Sequence, residues 1–225
     1  MTEVIQKRRG TIDKYIGDAI MAFWGAPLDD PEHVENAVMA AMEMQARAVL
    51  LREEFVARGW PELRLGIGVN TGVMNVGNMG SKFRMAYTVM GDSVNLGARL
   101  EGLTRQYGVD IIVGEDTCAR LPGILFRELD RVRVKGRNEP VTIYEPLELQ
   151  EKISQAAIEE KELFAHMLTH YHAQEWPESI EHLRELQHLK PESKLFLLYM
   201  DRIEHYLQES PPSDWDGVFT HKTKG

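Results

Sequence analysis

Two polar segments set among apolar neighbours restrict most strongly what this chain can fold into. The first is Lys14-Tyr15-Ile16-Gly17-Asp18; the second, far downstream, runs from Tyr87-Thr88-Val89-Met90-Gly91-Asp92-Ser93-Val94-Asn95 to Arg99. The first carries an ammonium and a carboxylate at the ends of a stretch that contains the turn pair Gly17-Asp18. The second carries a hydroxyl, an amide and a guanidinium. Asn95 and Arg99, spaced by four, project from one side of a helix. The chain must therefore offer a strand-turn-strand unit and a strand-turn-helix unit, each with polar groups at its turn.

The remaining pattern is compatible with that demand. Residues 11 to 15 and 19 to 24 read as strands about the Gly17-Asp18 turn, and residues 27 to 31 as a loop. Val34, Val38, Met42, Val49 and Phe55 recur at helical spacing, so a long amphipathic helix is expected over 32 to 58, stopped by Gly59-Trp60-Pro61. Alternation at Leu63, Leu65, Ile67 and Val69 suggests a strand, followed by another at 73 to 76. A turn at Gly80-Ser81-Lys82 leads into a strand over 85 to 90 and, after Gly91, a helix to about residue 107. Strands are expected at 109 to 113, 129 to 135 and 140 to 144. The mixture suggests an α+β sandwich with helices on one sheet face, ending near residue 147. Beyond it, Leu163, Tyr171, Trp176, Ile180, Leu183 and Leu186, with Pro191 after them, resemble a single tetratricopeptide-like helical hairpin over 148 to 210. A lone repeat should pack on the preceding domain or on a partner. Residues 211 to 225 read as an extended tail.

Composition removes several function classes. A formal net charge of −9 over 225 residues argues against general nucleic-acid or anionic-membrane binding, which needs a basic surface. Any anionic ligand must then be met by a local positive site or by metal. The single cysteine, Cys118, precludes an internal disulfide and suits a reducing, cytoplasmic setting, where it reads as a small packing residue. No apolar run reaches the ~18 residues of a membrane-spanning helix, and no signal pattern opens the chain, so it reads as soluble, with a membrane anchor in a longer parent left open. His166 and His170 lie four apart on a helix, but no third ligand is evident, and they read as surface histidines.

Taken singly, each candidate site residue has a plain structural explanation: Asp18 as a turn residue, Lys14 as a solvated strand lysine, Thr88 as a β-branched strand residue, and Arg99 as one half of a surface ion pair with Glu101 or a neighbour. Together they suit a nucleoside triphosphate. Asp18, flanked by Ile16 and Ile20, could hold a hard cation. Lys14 can only donate hydrogen bonds, which suits adenine N1 and not the N1–H of guanine. Thr88 could meet the adenine amine, and a guanidinium at Arg99 is suited to spreading phosphoryl charge. In residues 131 to 137 the cations alternate with valines, placing Lys135 beside Gly136 on a cationic face. The glycines at 66, 68 and 72 form no dinucleotide fingerprint.

Over residues 1 to about 147 this set, with its spacing, resembles the class III adenylate cyclase catalytic domain. The resemblance implies a ferredoxin-like cyclase sandwich that converts ATP to 3′,5′-cyclic AMP and pyrophosphate. It implies Asn95 and Arg99 as catalytic residues, Lys14, Thr88 and Lys135 as substrate ligands, and Asp18 as a ligand for Mg2+, with Mn2+ an alternative. It further implies a homodimer whose active sites lie between the chains, Asp18 coming from one and the other residues from its partner. Thr88, where many relatives carry aspartate, resembles a bicarbonate-stimulated subgroup. Domain and tail together look like bacterial cyclases with membrane-anchored sensor regions. The chain also departs from the family, because residues 1 to 17 cannot accommodate the first strand with its metal-binding aspartate. On that reading residues 1 to 225 alone should form little cyclic AMP. A catalytically dead dimerisation or nucleotide-sensing module and a guanylate cyclase are the alternatives.

Overall fold

Apolar residues flank Gly17-Asp18 on both sides, and the chain doubles back there. The structure, a computed structural model, describes residues 1–134 and 139–220. A short helix, α1 (Thr2–Lys7), leads into the hairpin of β1 (Thr11–Ile16) and β2 (Ala19–Phe23), paired antiparallel. Gly17 has φ +64°, a conformation that side-chain-bearing residues rarely adopt, so the tight turn depends on it. The register slips between Ile12 and Lys14, leaving Asp13 as the extra residue of a bulge.

The long helix α2 (His33–Ala57) follows and ends at Arg58-Gly59. The strand expected from Leu63 is shorter than its alternation suggests: β3 covers only Ile67–Val69. The reason is visible in the hydrogen bonds, since the carbonyls of Leu63 and Leu65 accept from the side chains of Arg52 and Gln45 on α2 rather than from a neighbouring strand. A second antiparallel hairpin, β4 (Asn75–Ser81) and β5 (Arg84–Met90), leads into α3 (Asp92–Tyr107). Next come β6 (Ile111–Gly114), α4 (Glu115–Ala119), β7 (Ile124–Arg133) and β8 (Val141–Leu149). Both late strands are longer than expected, because the register slips twice along the pair, at Leu147 of β8 opposite the Leu125–Phe126 step and at Leu129 of β7, and breaks the alternation that would have marked them.

Among the described residues the main sheet has the order β3-β6-β8-β7-β9, where β9 is Phe219–Thr220. The β3/β6 and β7/β9 pairs are parallel and the two inner pairs antiparallel. Helices cover both sheet faces, not one. Ile111 and Val113 pack with Val34, Val38 and Ala41 of α2, whereas Ile112 between them joins Leu96, Leu100 and Leu103 of α3. All four residues of β6 are accordingly buried.

The tail differs from the expected hairpin by a whole helix: α5 (Gln155–His172), α6 (Trp176–Leu189) and α7 (Lys194–Gln208). Pro191 ends α6, but helix resumes at Lys194 because α7 has its own apolar face of Leu195, Phe196, Tyr199 and Ile203. The terminal segment is not simply extended either. Trp215 packs against the rings of Tyr171, Trp176 and Tyr206, and Phe219 pairs with Val132 on the sheet edge. One apolar core is shared by α3, the sheet and α5 to α7. Cys118 is half-buried on α4, and burial, with Glu128 adding, pushes its thiol up to about 11.

Within that core lies a charged cluster. Asp130 is fully buried; its Oδ2 accepts from Arg202 Nη1 at 2.6 Å and from Tyr107 Oη at 2.5 Å, and Arg202 Nη2 also donates to Tyr107 Oη at 3.1 Å. Its Oδ1 accepts from the Arg131 amide at 2.7 Å. Burial, with Asp130 adding, holds the Tyr107 phenol well above its usual range, so it remains a donor. Arg202→Ala is expected to cost about 3–5 kcal/mol by stranding a buried carboxylate. Asp130→Asn with Arg202→Met should recover most of that loss. Urea unfolding of both variants checks this, and a wild-type midpoint for Arg202→Ala would refute it.

Candidate active site

The bulge in β1 decides what meets Thr88. Regular alternation would send the side chains of residues 13 and 14 to opposite faces. With Asp13 bulged, both reach β5. Lys14 Nζ donates to Thr88 Oγ1 at 3.2 Å, and Thr88 Oγ1 donates to Asp13 Oδ2 at 2.5 Å. The Val89 amide lies 3.4 Å from the same carboxylate oxygen. Lys14 Nζ is 3.2 Å from Asp13 Oδ1, an ion-pair distance without the angle of a hydrogen bond. Thr88 is 4% exposed and the Asp13 side chain 0%, while that of Lys14 is 46% exposed. The ammonium therefore stands at the mouth of a buried polar pair. Asp13 was not singled out by sequence reasoning, and the only signal for it, an acid beside Lys14, is uninformative without the bulge.

Asn95 and Arg99 come from the first turns of α3. Gly91 makes the corner between β5 and the helix with φ +151°, and the Asn95 amide closes the first turn on its carbonyl at 3.2 Å. Asn70 Nδ2 donates to the Ser93 carbonyl at 2.9 Å, tying the helix start to the end of β3. Asn95 is exposed and Arg99 partly buried on the same side of the helix. Arg99 Nη1 is buried without a hydrogen-bond partner, and its nearest carboxylate is Asp92 at 4.0 Å rather than Glu101. A guanidinium in that state is ready to receive an anion.

The structure thus brings Lys14 to Thr88 and sets Asn95 beside Arg99, but Asp18 stands apart at the exposed hairpin tip. Lys135 lies outside the described residues. Among the described residues no group of three or more His, Cys, Asp or Glu side chains is placed to hold a metal ion. His170 instead contacts Glu175 at 2.6 Å. No helix of the described residues is long and apolar enough to cross a membrane.

Residues 1–145 match the model of the adenylate and guanylate cyclase catalytic domain. The chain belongs to this family. The cyclase domain is 37% identical over 145 residues to adenylate cyclase 1 of Rhizobium meliloti (strain 1021), a match covering 64% of this chain but 22% of that relative's length. The solved adenylyl cyclase CyaB from P. aeruginosa superposes with a TM-score of 0.61 at 31% identity, covering 68% of this chain and 79% of that one. The guanylyl cyclase Cya2 gives the same TM-score and identity, covering 68% and 77%. Fold likeness therefore does not choose between the two purines. Cyclase domains of this class act with divalent metal ions.

The glycines that form no fingerprint have a different use in the cyclase domain. A Cβ on Gly68 would come within 2.3 Å of both Glu101 N and Gly97 O, backbone atoms of α3. One on Gly72 would meet Ser93 Oγ at 2.3 Å. Their absence of side chains lets α3 lie against β3 with backbones touching, which sets the height of Asn95 and Arg99. Gly68→Ala is expected to displace α3 and cost about 1–3 kcal/mol. The variant should also lose nucleotide turnover in an active chain, as checked by melting and initial rates. Wild-type values in both would show that the contact does not position the helix.

Proposed function

We propose that this cyclase domain converts ATP to 3′,5′-cyclic AMP and pyrophosphate. The observation that carries the reading is the 3.2 Å hydrogen bond between Lys14 and Thr88, residues 74 apart in sequence, which are the two that the family resemblance assigns to the adenine ring. Lysine offers a donor to adenine N1, and a threonine oxygen can accept from the 6-amino group. Asn95 would orient the ribose. The 3′-oxygen attacks the α-phosphorus, a new O–P bond forms, the bond to the bridging oxygen breaks, and the 3′ proton is released to solvent. Arg99 would lower the barrier by meeting charge as it spreads over the α-phosphoryl oxygens. Lys135 would bind the terminal phosphates. Homologous adenylate cyclases at 37% identity add support, as does the agreement of motif spacing.

Asp18 offers an exposed carboxylate, a hard oxygen donor suited to Mg2+ or Mn2+, with phosphate oxygens and water completing the shell. A bound ion there would supply Lewis-acid stabilisation of phosphate charge. Asp18 sits in the turn of its hairpin, beyond the two strand steps, about 7 Å, that run from Lys14 to the end of β1 at Ile16. That separation suits a homodimer in which Asp18 serves a site completed by its partner. Exposed apolar side chains on the two hairpins also favour a second copy: Tyr15 and Ile16 on β1, and Met85 and Met90 on β5, are all more than half exposed. The domain would work in the cytoplasm, where ATP and reduced cysteine coexist.

Exchanging Lys14 for glutamate is expected to reduce ATP turnover about 10²-fold in an active chain, by removing a donor and presenting guanine with an acceptor. Steady-state rates on ATP and GTP check this; an unchanged preference for ATP would mean that the base is read elsewhere. A shared site makes a second expectation. In an active chain, Asp18→Ala and Arg99→Ala homodimers should each be nearly inactive, but subunit exchange between them should regain cyclic AMP synthesis, because one site of the mixed dimer has both residues intact. If a tag proves exchange and activity stays at the level of the single variants, the site is not shared between chains.

A further inference from the structure

The hydrogens available around Thr88 determine which base edge the pocket can receive. Resting on the reading of Lys14 and Thr88 as the base-contacting pair, we infer that Asp13 is a specificity-determining positioning residue. It fixes the direction of the Thr88 hydroxyl, so that the site takes adenine and refuses guanine.

A threonine hydroxyl carries one proton and can accept from two directions, so on its own it suits either purine. Asp13 removes that ambivalence. Its Oδ2 lies 2.5 Å from Thr88 Oγ1, and a carboxylate paired with an ammonium has no hydrogen to give. The Thr88 proton must therefore point at Asp13. Lys14 Nζ, a donor only, approaches the same hydroxyl oxygen at 3.2 Å and takes one accepting direction. What is left unused on this pair is one accepting direction on the buried Thr88 hydroxyl and an N–H on the half-exposed Lys14 ammonium.

Adenine presents the complement of that pair: an acceptor at N1 and a donor at the 6-amino group. Guanine presents the reverse, with a donor at N1 and an acceptor at O6. In the same pose its N1–H would face an ammonium and its O6 a hydroxyl oxygen whose proton is turned away. The arrangement is rigid where it needs to be. The Asp13 side chain is fully buried, is set by the bulge, and also lies 3.4 Å from the Val89 amide. Without that carboxylate the hydroxyl could rotate its proton outward and receive guanine O6.

Binding can be separated from turnover with 3′-deoxy-ATP and 3′-deoxy-GTP, which lack the attacking oxygen, titrated calorimetrically in the presence of Mg2+. The wild-type chain should prefer the adenine nucleotide. Asp13→Asn should lower the ratio of the two affinities about 10-fold or more, since its amide can donate to Thr88 and free the hydroxyl proton. Asp13→Asn combined with Thr88→Asp should regain the adenine preference, because a carboxylate at 88 accepts without needing its proton directed. Equal weakening of both nucleotides by Asp13→Asn, or an unchanged ratio, would overturn the inference while leaving the base-contacting pair in place. No preference in the wild type would overturn that pair and this inference with it. Circular dichroism and melting are run on each variant. If Asp13→Asn is unfolded, Asp13→Ala, which also leaves the Thr88 hydroxyl undirected, decides: a lowered affinity ratio supports the role, and an unchanged ratio overturns it.

Discussion

A fully buried carboxylate, Asp130, is the point on which the two halves of this molecule are joined. It sits on β7, takes Tyr107 from the last turn of α3 and Arg202 from α7, and so binds the sheet, the helix of the candidate active site and the tail in one network. An isolated carboxylate at that depth would be untenable, and each partner meets part of its demand. Tyr199 Oη donates to the Leu129 carbonyl at 2.7 Å next door, and the Arg202 guanidinium lies over the Phe219 ring at 3.8 Å, which recruits β9 as well. The helical tail therefore completes the core rather than hanging from it.

That clamp also fixes the end of α3 opposite the one that bears Asn95 and Arg99. The helix is fixed at the C-terminal side by Tyr107, along its length by backbone contact with Gly68, and at the N-terminal side by the Asn70 bond to Ser93. With three attachments the helix has little freedom to slide, so Asn95 and Arg99 stand at a defined height above the sheet. Burying a guanidinium nitrogen of Arg99 without a partner is costly in isolation. Such a cost is tolerable only where the surrounding elements are held this firmly, and it is consistent with a group kept for an incoming phosphate.

Much of the fold was legible in the chain, and what was not has identifiable physical causes. The hairpin at Gly17-Asp18, the long α2 and the run from β5 through Gly91 into α3 follow periodicity and turn chemistry, which act locally. The short β3 was hidden because side chains of α2 take the carbonyls of Leu63 and Leu65 just before it, and the full length of β7 and β8 because one register slip in each interrupts alternation. The third tail helix was missed because Pro191 reads as an end, while the face of α7 acquires its meaning only against Phe164 and Tyr171. At the candidate site, residue types and spacing singled out Lys14, Thr88, Asn95 and Arg99. Asp13 could not be found that way, because its presence beside Thr88 depends on a register slip that no spacing records.

Electrostatics ties these observations to the nucleotide. The chain carries a net charge of −9, so a triphosphate approaching it meets repulsion at long range. Attraction must come from a few cations placed where the general field matters least, within about a Debye length of 8–10 Å at ordinary ionic strength. In the proposed function, Lys14 and Arg99 are such cations. Each is only partly countered by its own carboxylate, Asp13 for the first and Asp92, at 4.0 Å, for the second. The two pairings differ in kind. Asp92 is distant enough to be replaced by a phosphate oxygen, which suits the transition-state role proposed for Arg99. Asp13 is buried and bonded to Thr88, so a ligand does not readily displace it, and in the proposed function the Lys14 ammonium would keep its place as an uncharged base edge arrives. Under the proposed roles, binding charge with one cation and reading a neutral hydrogen-bond pattern with the other requires that difference between the two carboxylates.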